Sequence, residues 1–290
     1  MNEPAVSIIL PTYNGSRYLA EAIQSCLDQT FADLELIVVD DCSTDESPKI
    51  IAKFAEKDPR VRVARHEQNK RLPGAINTGM ALSRGRYLTW TSDDNLYRPN
   101  AIAEMVAVLE GDSSLGMVYA NSTFIGASGE ALSPGFIGPV DLLANINAVG
   151  ACFLYRREVY ETIGDYDPEM CLVEDWDYWI RVAEKYRLQP LYRDVYLYRH
   201  HEGSLTHQRE EAIRQSERKV LERHLPRMHW ASRRARSRGY LFAAQIAWRF
   251  GDRKDAMRHI LRAITTAPWY ALSRMIRAPL KRKRNRGVVE

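Results

Sequence analysis

No stretch of this 290-residue sequence reaches the eighteen consecutive apolar residues of a membrane span. The longest charge-free runs, 113–129 and 142–155, are broken by Ser, Asn and Gly. The N-terminus has no basic segment leading into an apolar run, so a secretory leader is not expected. Sixteen Gly and thirteen Pro are too few for a collagenous or linker-like chain, and 45% hydrophobic with 27% charged residues argues against general disorder. Only four cysteines occur, Cys26, Cys42, Cys152 and Cys171, and none has Cys-x-x-Cys spacing. They read as reduced, mostly buried thiols of a cytoplasmic protein. No Cys partners His200, His201 or His207 at zinc-finger spacing, so a structural zinc site is not expected. The glycine signatures G-x-x-x-x-G-K-S/T and G-x-G-x-x-G are absent as well, which removes the P-loop and dinucleotide-fold readings.

Charge is present but unevenly spread. Residues 1–206 carry 19 Lys/Arg against 30 Asp/Glu, a net of −11, while residues 207–290 carry 22 against 7, a net of +15. An acidic body with a basic extension predicts a phosphate-bearing partner for the extension, or a solvated basic bundle that neutralises the body.

The first hundred residues alternate strand and helix patterns. Val6–Leu10 is an apolar, β-branched run closed by Pro11 and Asn14-Gly15. Tyr18, Leu19, Ala22, Ile23, Cys26 and Leu27 recur at helical spacing. Leu34–Val39 is a second buried strand ending in Asp40-Asp41. Ser43 or Thr44 is placed to cap a helix containing Ile50, Ile51 and Phe54. A short strand (61–63), a helix (75–82) and a strand (87–91) ending in Ser92-Asp93-Asp94 follow. Repeated βα units predict an α/β protein with a mainly parallel sheet covered by helices. From residue 117 the strands shorten, around a Gly/Ser/Pro-rich loop at 126–139 suited to substrate selection. A helix (174–186) and a strand (190–198) complete the body, and beyond His207 the pattern is helical.

Ligands of open α/β sheets sit at the carboxyl ends of the strands. Pro11-Thr12-Tyr13-Asn14, Asp40-Asp41 and Ser92-Asp93-Asp94 all fall on that rim. Adjacent carboxylates repel unless a cation neutralises them, and hard oxygen ligands suit Mg²⁺ or Mn²⁺ bridging to substrate phosphates. Lys70 and Arg71, ahead of a helix, are candidates for holding phosphate.

Four ordered motifs then match one family. Residues 6–14 (VSIILPTYN), 29–31 (QTF) and 35–45 (ELIVVDDCSTD) resemble the opening of family 2 glycosyltransferases, which have the GT-A fold. Residues 85–97 (GRYLTWTSDDNLY) resemble the strand leading to their metal motif, with Ser92 at its first, usually acidic position. Residues 163–167 (IGDYD) with 173–181 (VEDWDYWIR) are similar to their acceptor-side acidic motif, and 198–206 (YRHHEGSLT) to the segment closing the catalytic domain.

The resemblance covers residues 4–206 and implies a catalytic domain at 1–206, a single Rossmann-like sheet flanked by helices, with a helical extension at 207–290. It implies an inverting enzyme that moves a sugar from a UDP- or dTDP-sugar to a glycan or lipid-linked acceptor, in bacterial-type polysaccharide or glycolipid assembly at the cell envelope. Pro11, Thr12, Tyr13, Asp41, Lys70, Arg71 and Asp93 would bind the nucleotide, Tyr13 stacking on the base and Asp41 accepting from its N3–H. Asp94 and His201 would hold Mn²⁺ or Mg²⁺, Asp175 would be the general base, and Glu174, Trp176 and Trp179 would face the acceptor, although Trp179 is equally suited to the core beside Ile180, Val182 and Ala183. Two other readings compete. A sugar-phosphate nucleotidyltransferase lacks a Gly-rich, Lys-containing loop after the first strand; a basic nucleic-acid-binding protein conflicts with the acidic body.

In the extension, 239–250 and 254–266 form two helical patterns resembling one tetratricopeptide-type hairpin. Trp269, Tyr270, Leu272, Met275 and Ile276, followed by Lys281–Arg284, make 269–286 an interfacial segment for an anionic membrane. Pro268 and Pro279 are expected to interrupt its helix. Location is accordingly read as cytoplasmic, peripheral on the inner face of the plasma membrane.

Overall fold

The structure, a computed structural model, describes residues 3–282. It divides into two compact units, residues 1–140 with 148–209, and residues 141–147 with 210–290.

The first unit is built on one nine-stranded sheet. Its elements run β1 (Val6–Thr12), α1 (Leu19–Leu27), β2 (Leu34–Asp40), α2 (Ser47–Lys57), β3 (Val61–Arg65), α3 (Arg71–Leu82) and β4 (Tyr87–Trp90). Then come β5 (Leu96–Tyr97), α4 (Ala101–Gly111), β6 (Leu115–Ile125), β7 (Ala131–Gly135), β8 (Phe153–Arg156), α5 (Arg157–Ile163), α6 (Glu174–Ala183), β9 (Arg187–Arg199) and α7 (Leu205–Gln208). The strand order is β3-β2-β1-β4-β8-β6-β9-β5, with β7 on β6. β1 pairs in parallel with both β2 and β4, and β2 with β3. Every residue of β1 and β2 is buried, as continuous apolar runs demand when helices cover both faces. Strand order reverses on either side of β1, opening a crevice at the carboxyl ends of β1, β2 and β4.

Two local expectations are corrected. The helix after β2 starts at Ser47, not at a Ser43 or Thr44 cap. Ser43 Oγ accepts instead from the Asn14 N–H at 2.9 Å, and the Thr44 N–H donates to Asn14 Oδ1 at 2.8 Å. Those hydroxyl-bearing residues brace the rim. The stretch 126–139 is not loop throughout, because β7 forms a hairpin with β6. Four of its five residues are exposed, so no apolar alternation marked it.

In the second unit, α8 (Glu210–His224), α9 (Arg233–Arg249), α10 (Arg253–Thr266) and α11 (Pro268–Arg282) follow in order. Helix α9 begins six residues before the pattern predicted because Ser232 caps it, accepting from the Ala235 N–H at 3.1 Å. Asp141 in turn accepts from the Ser232 N–H at 2.6 Å and its hydroxyl at 2.7 Å. The Ala144 carbonyl lies where a Cβ on Gly239 would stand, so only glycine fits there. Pro268 does not interrupt α11 but begins it, a position where its missing N–H costs nothing. Among the described residues, no helix is long and apolar enough to cross a membrane. The side chains of the polybasic end of 269–286 lie outside the described residues.

Candidate active site

At the end of β1, Thr12 is buried and Tyr13 projects, 52% exposed. The Asp41 N–H donates to the Thr12 carbonyl at 2.8 Å, locking the end of β2 to that of β1. Asp41 is nearly inaccessible, and its Oδ1 takes two bonds, from the Lys70 N–H at 2.8 Å and from His66 Nδ1 at 2.6 Å. Its carboxylate is thus fixed beside the exposed tyrosine by groups from β3's end and from the start of α3. His66 was not foreseen, although it follows β3 on the same rim. Its Nε2 meets Thr78 Oγ1 on α3 at 2.9 Å.

Among the described residues, four non-glycine residues have positive φ, Asn14 (55°) after β1, Cys42 (70°) after β2, Arg71 (62°) at the start of α3 and Leu172 (82°) ahead of α6. Left-handed backbone at non-glycine residues costs free energy, and it concentrates where geometry serves a site.

After β4, Thr12 Oγ1 donates to Asp93 Oδ2 at 2.5 Å. A Cβ on Gly15 would stand 1.9 Å from the same oxygen, so the glycine gives the carboxylate its room. Burial pushes the Asp93 carboxyl up to about 7; the Thr12 bond opposes this, and neighbouring Asp94 adds to it. Asp94 Oδ2 faces His201 Nε2 at 3.0 Å. The chain distance between them, more than a hundred residues, is closed by the turn after β9. Lys70 and Arg71 have exposed side chains at the start of α3.

Asp94 and His201 fit a divalent ion. An imidazole nitrogen and a carboxylate oxygen are donor types such an ion accepts, and here they sit side by side, bonded to each other at 3.0 Å. No cluster of three or more His, Cys, Asp or Glu suited to a metal occurs among the described residues. The remaining ligands would have to come from water and substrate oxygens, the usual arrangement for Mg²⁺ with phosphates.

The acceptor-side motif opens α6. Glu174 is 4% exposed, and its Oε2 is buried with no hydrogen-bond partner. Burial, with Asp175 adjacent, pushes its carboxyl up to about 8. Asp175 Oδ1 accepts from the Trp176 N–H at 2.7 Å. Asp177 is fully buried and bound to Arg181 Nε at 2.9 Å, one turn on. Arg181 also donates to the Ile163 and Asp165 carbonyls, so this pair holds the preceding loop. Burial and Glu174 raise the thiol pKa of Cys171 while Arg71 opposes them, which puts α3's first residue within electrostatic reach of this loop.

Trp176, expected as a face for a sugar ring, and Trp179, read either as such a face or as core, are 2% and 0% exposed. Trp179 packs in the core against Phe153, ring centres 4.4 Å apart, and against Tyr155, Tyr166 and Tyr178. Neither indole presents a face to a ligand. Glu174 is likewise too buried to offer an open acceptor surface.

The profile of "Glycosyl transferase family 2" matches residues 7–164. The chain belongs to glycosyltransferase family 2. This glycosyltransferase is 29% identical over 184 residues to the chondroitin synthase of Escherichia coli, covering 62% of this chain and 27% of that one. Its fold is similar to S. aureus TarS 1–349 solved with UDP-GlcNAc (TM-score 0.66, 16% identity, 92% of this chain and 82% of that one). It is similar also to the mannosyltransferase PcManGT from Pyrobaculum calidifontis with GDP-Man and Mn²⁺ (TM-score 0.62, 17% identity, 98% and 84%). The fold is therefore GT-A. The chain spans about a third or less of the length of the first relatives it matches.

Proposed function

We propose that this glycosyltransferase is inverting and metal-dependent, and moves a sugar from a UDP- or dTDP-sugar to an acceptor hydroxyl in polysaccharide or glycolipid assembly. The observation that carries the reading is the juxtaposition at one rim of exposed Tyr13, fixed Asp41, Asp93 in its glycine notch and the Asp94–His201 pair. A flat aromatic face beside a fixed carboxylate suits a base with an N3–H, uracil or thymine, because the carboxylate can only accept. Pro11 and Thr12 shape the floor of that pocket, and Asp93 takes the ribose hydroxyls. The similar structures solved with UDP-GlcNAc and with GDP-Man and Mn²⁺ support a nucleotide-sugar and a divalent ion here.

Asp94 and His201 would hold Mn²⁺ or Mg²⁺, which supplies charge stabilisation to the departing diphosphate. Lys70 and Arg71 add cationic side chains at the start of α3 for the same developing charge. Asp175 accepts the proton of the acceptor hydroxyl as that oxygen attacks the anomeric carbon opposite the leaving group. Asp177 cannot substitute, because it is buried under Arg181. Glu174, pushed up to about 8 by burial, stays protonated near neutrality. We place the enzyme on the cytoplasmic side of an anionic membrane, reached through 269–286, where Trp269 is 87% exposed.

A panel of nucleotide-sugars with Mn²⁺ or Mg²⁺, scored by nucleoside diphosphate release, tests the reading. UDP- or dTDP-sugars should turn over and ADP-sugars should not. Asp175→Asn should lower kcat by at least about a thousandfold, the upper range for a general base, while UDP affinity stays within about twofold. Parental transfer by that variant would remove Asp175 from its role.

A further inference from the structure

Arg199, the last residue of β9, is 2% exposed. A guanidinium so deeply buried is costly unless its donors are matched, and here each of its three nitrogens serves a different segment. Nε donates to the Asp94 carbonyl at 2.9 Å, Nη1 to the Ala127 carbonyl in the β6–β7 turn at 3.1 Å, and Nη2 to Glu21 Oε2 on α1 at 2.8 Å. Its own N–H donates to Asn95 Oδ1 at 2.8 Å. The guanidinium carbon lies 4.4 Å from the centre of the Tyr18 ring, and that ring lies 4.9 Å from the His201 ring.

Charge neutralisation alone needs only Glu21. The other bonds grip the backbone carbonyl of Asp94 and the side chain of the next residue, while His201 follows Arg199 by two positions. We propose that Arg199 is a positioning residue: it holds Asp94 and His201 face to face so that both can bind one divalent ion, and ties their alignment to the β6–β7 turn and α1. The planar fork matters, because three acceptors lie in three directions from one rigid group. A lysine is a point charge on a flexible stem and cannot span them.

This rests on the metal reading of the Asp94–His201 pair, and the experiment separates the two. Mn²⁺ uptake is titrated in the presence of UDP by the electron paramagnetic resonance of free Mn²⁺, for the parent, Arg199→Lys and Glu21→Gln. Outer partners of metal ligands change affinity about 10–100-fold when lost. Arg199→Lys should weaken Mn²⁺ by that factor, leave the thermal shift with UDP alone unchanged, and recover kcat at saturating Mn²⁺. Glu21→Gln should show the same change in smaller measure; Glu21 is more than half exposed, so this variant carries the test if Arg199→Lys does not fold. Unchanged Mn²⁺ affinity in a folded variant overturns the proposal, as does an equal loss of metal-free UDP binding, which a merely structural role would produce. If the parent takes up no Mn²⁺, the metal reading falls and transfer without added metal decides the positioning role. Arg199→Lys should then slow the parent but add nothing to Asp94→Ala; equal losses in both backgrounds overturn it.

Discussion

Asn77 and Tyr166 exchange two hydrogen bonds, the Asn77 amide donating to the Tyr166 carbonyl at 2.8 Å and the Tyr166 N–H donating to Asn77 Oδ1 at 2.9 Å. The amide thus replaces a strand partner for a residue that has none. Its effect is to fasten the loop ahead of α6 to the middle of α3, whose first turn fixes Asp41. The strand-end rim and the segment leading into α6 thus share one helix. Tyr166 is itself fully buried, stacked on Tyr178 at 4.0 Å between ring centres, with its hydroxyl accepting from Trp90 Nε1 at 3.0 Å.

Asn77→Ala should therefore leave two buried backbone groups unpaired, each worth about 1–3 kcal/mol. A fall in unfolding free energy of about 2–6 kcal/mol, read from urea denaturation, is expected, with Asn77→Asp, which keeps the acceptor, in between. A loss below about 1 kcal/mol would show that water replaces the amide.

Gly15→Ala places a methyl group against Asp93 Oδ2 and 2.8 Å from Thr12 Oγ1. Overpacking of this kind costs about 1–3 kcal/mol. Here the cheaper relief is to swing Asp93 away, so nucleotide-sugar affinity should fall by at least about tenfold, more than stability changes. Calorimetric titration beside a thermal melt separates the two effects.

Glu174 makes stability depend on pH. Its folded pKa, about 8, lies above the ordinary 4.5, so between those values the folded state holds a proton that the unfolded state has released. The contribution is fully present below pH 4.5, and is lost as pH rises towards 8. The slope is at most about 1.4 kcal/mol per pH unit. Glu174→Gln should flatten the fall in urea midpoint between pH 5 and pH 8 relative to the parent; parallel profiles would show that Glu174 is ionised in the folded protein.

Vesicle co-sedimentation tests the membrane proposal. The full chain should pellet with phosphatidylserine-containing vesicles, less so as salt rises, and a chain ending at Ala267 should not. Exposed Trp269, Leu272 and Met275 on α11 supply the apolar contacts. Equal pelleting of both chains would place any attachment elsewhere.

The rim was legible in the sequence because its strands are continuous apolar runs. Val6–Thr12 and Leu34–Asp40 can be read with their ends, and the ends carry Tyr13 and Asp41. Asp93-Asp94 was legible for the same reason. Side-chain partners were not, since Asp41 and His66, or Asp94 and His201, meet only when distant segments close. Arg199 looked like any arginine in a polar stretch, because nothing in spacing distinguishes a guanidinium buried among carbonyls from one in water. Of the tryptophans of α6, Trp179 was legible as core from its place beside Ile180, Val182 and Ala183, whereas Trp176 was not, because a turn crowded with acids reads as exposed. Burial of Asp177 beneath Arg181 and of Trp179 among tyrosines depends on the opposite wall.

Residues 141–147 lie between β7 and β8 yet belong with the helices that follow residue 209, where Asp141 holds the cap of α9. Sequence order and inheritance therefore part company. The polypeptide passes between the two units three times, so a chimera or recombinant that exchanged only the C-terminal portion would receive α9 without the aspartate that seats its first turn. A functional exchange must carry both pieces together, and families built this way should trade their helical extensions in step with a seven-residue stretch some sixty positions upstream.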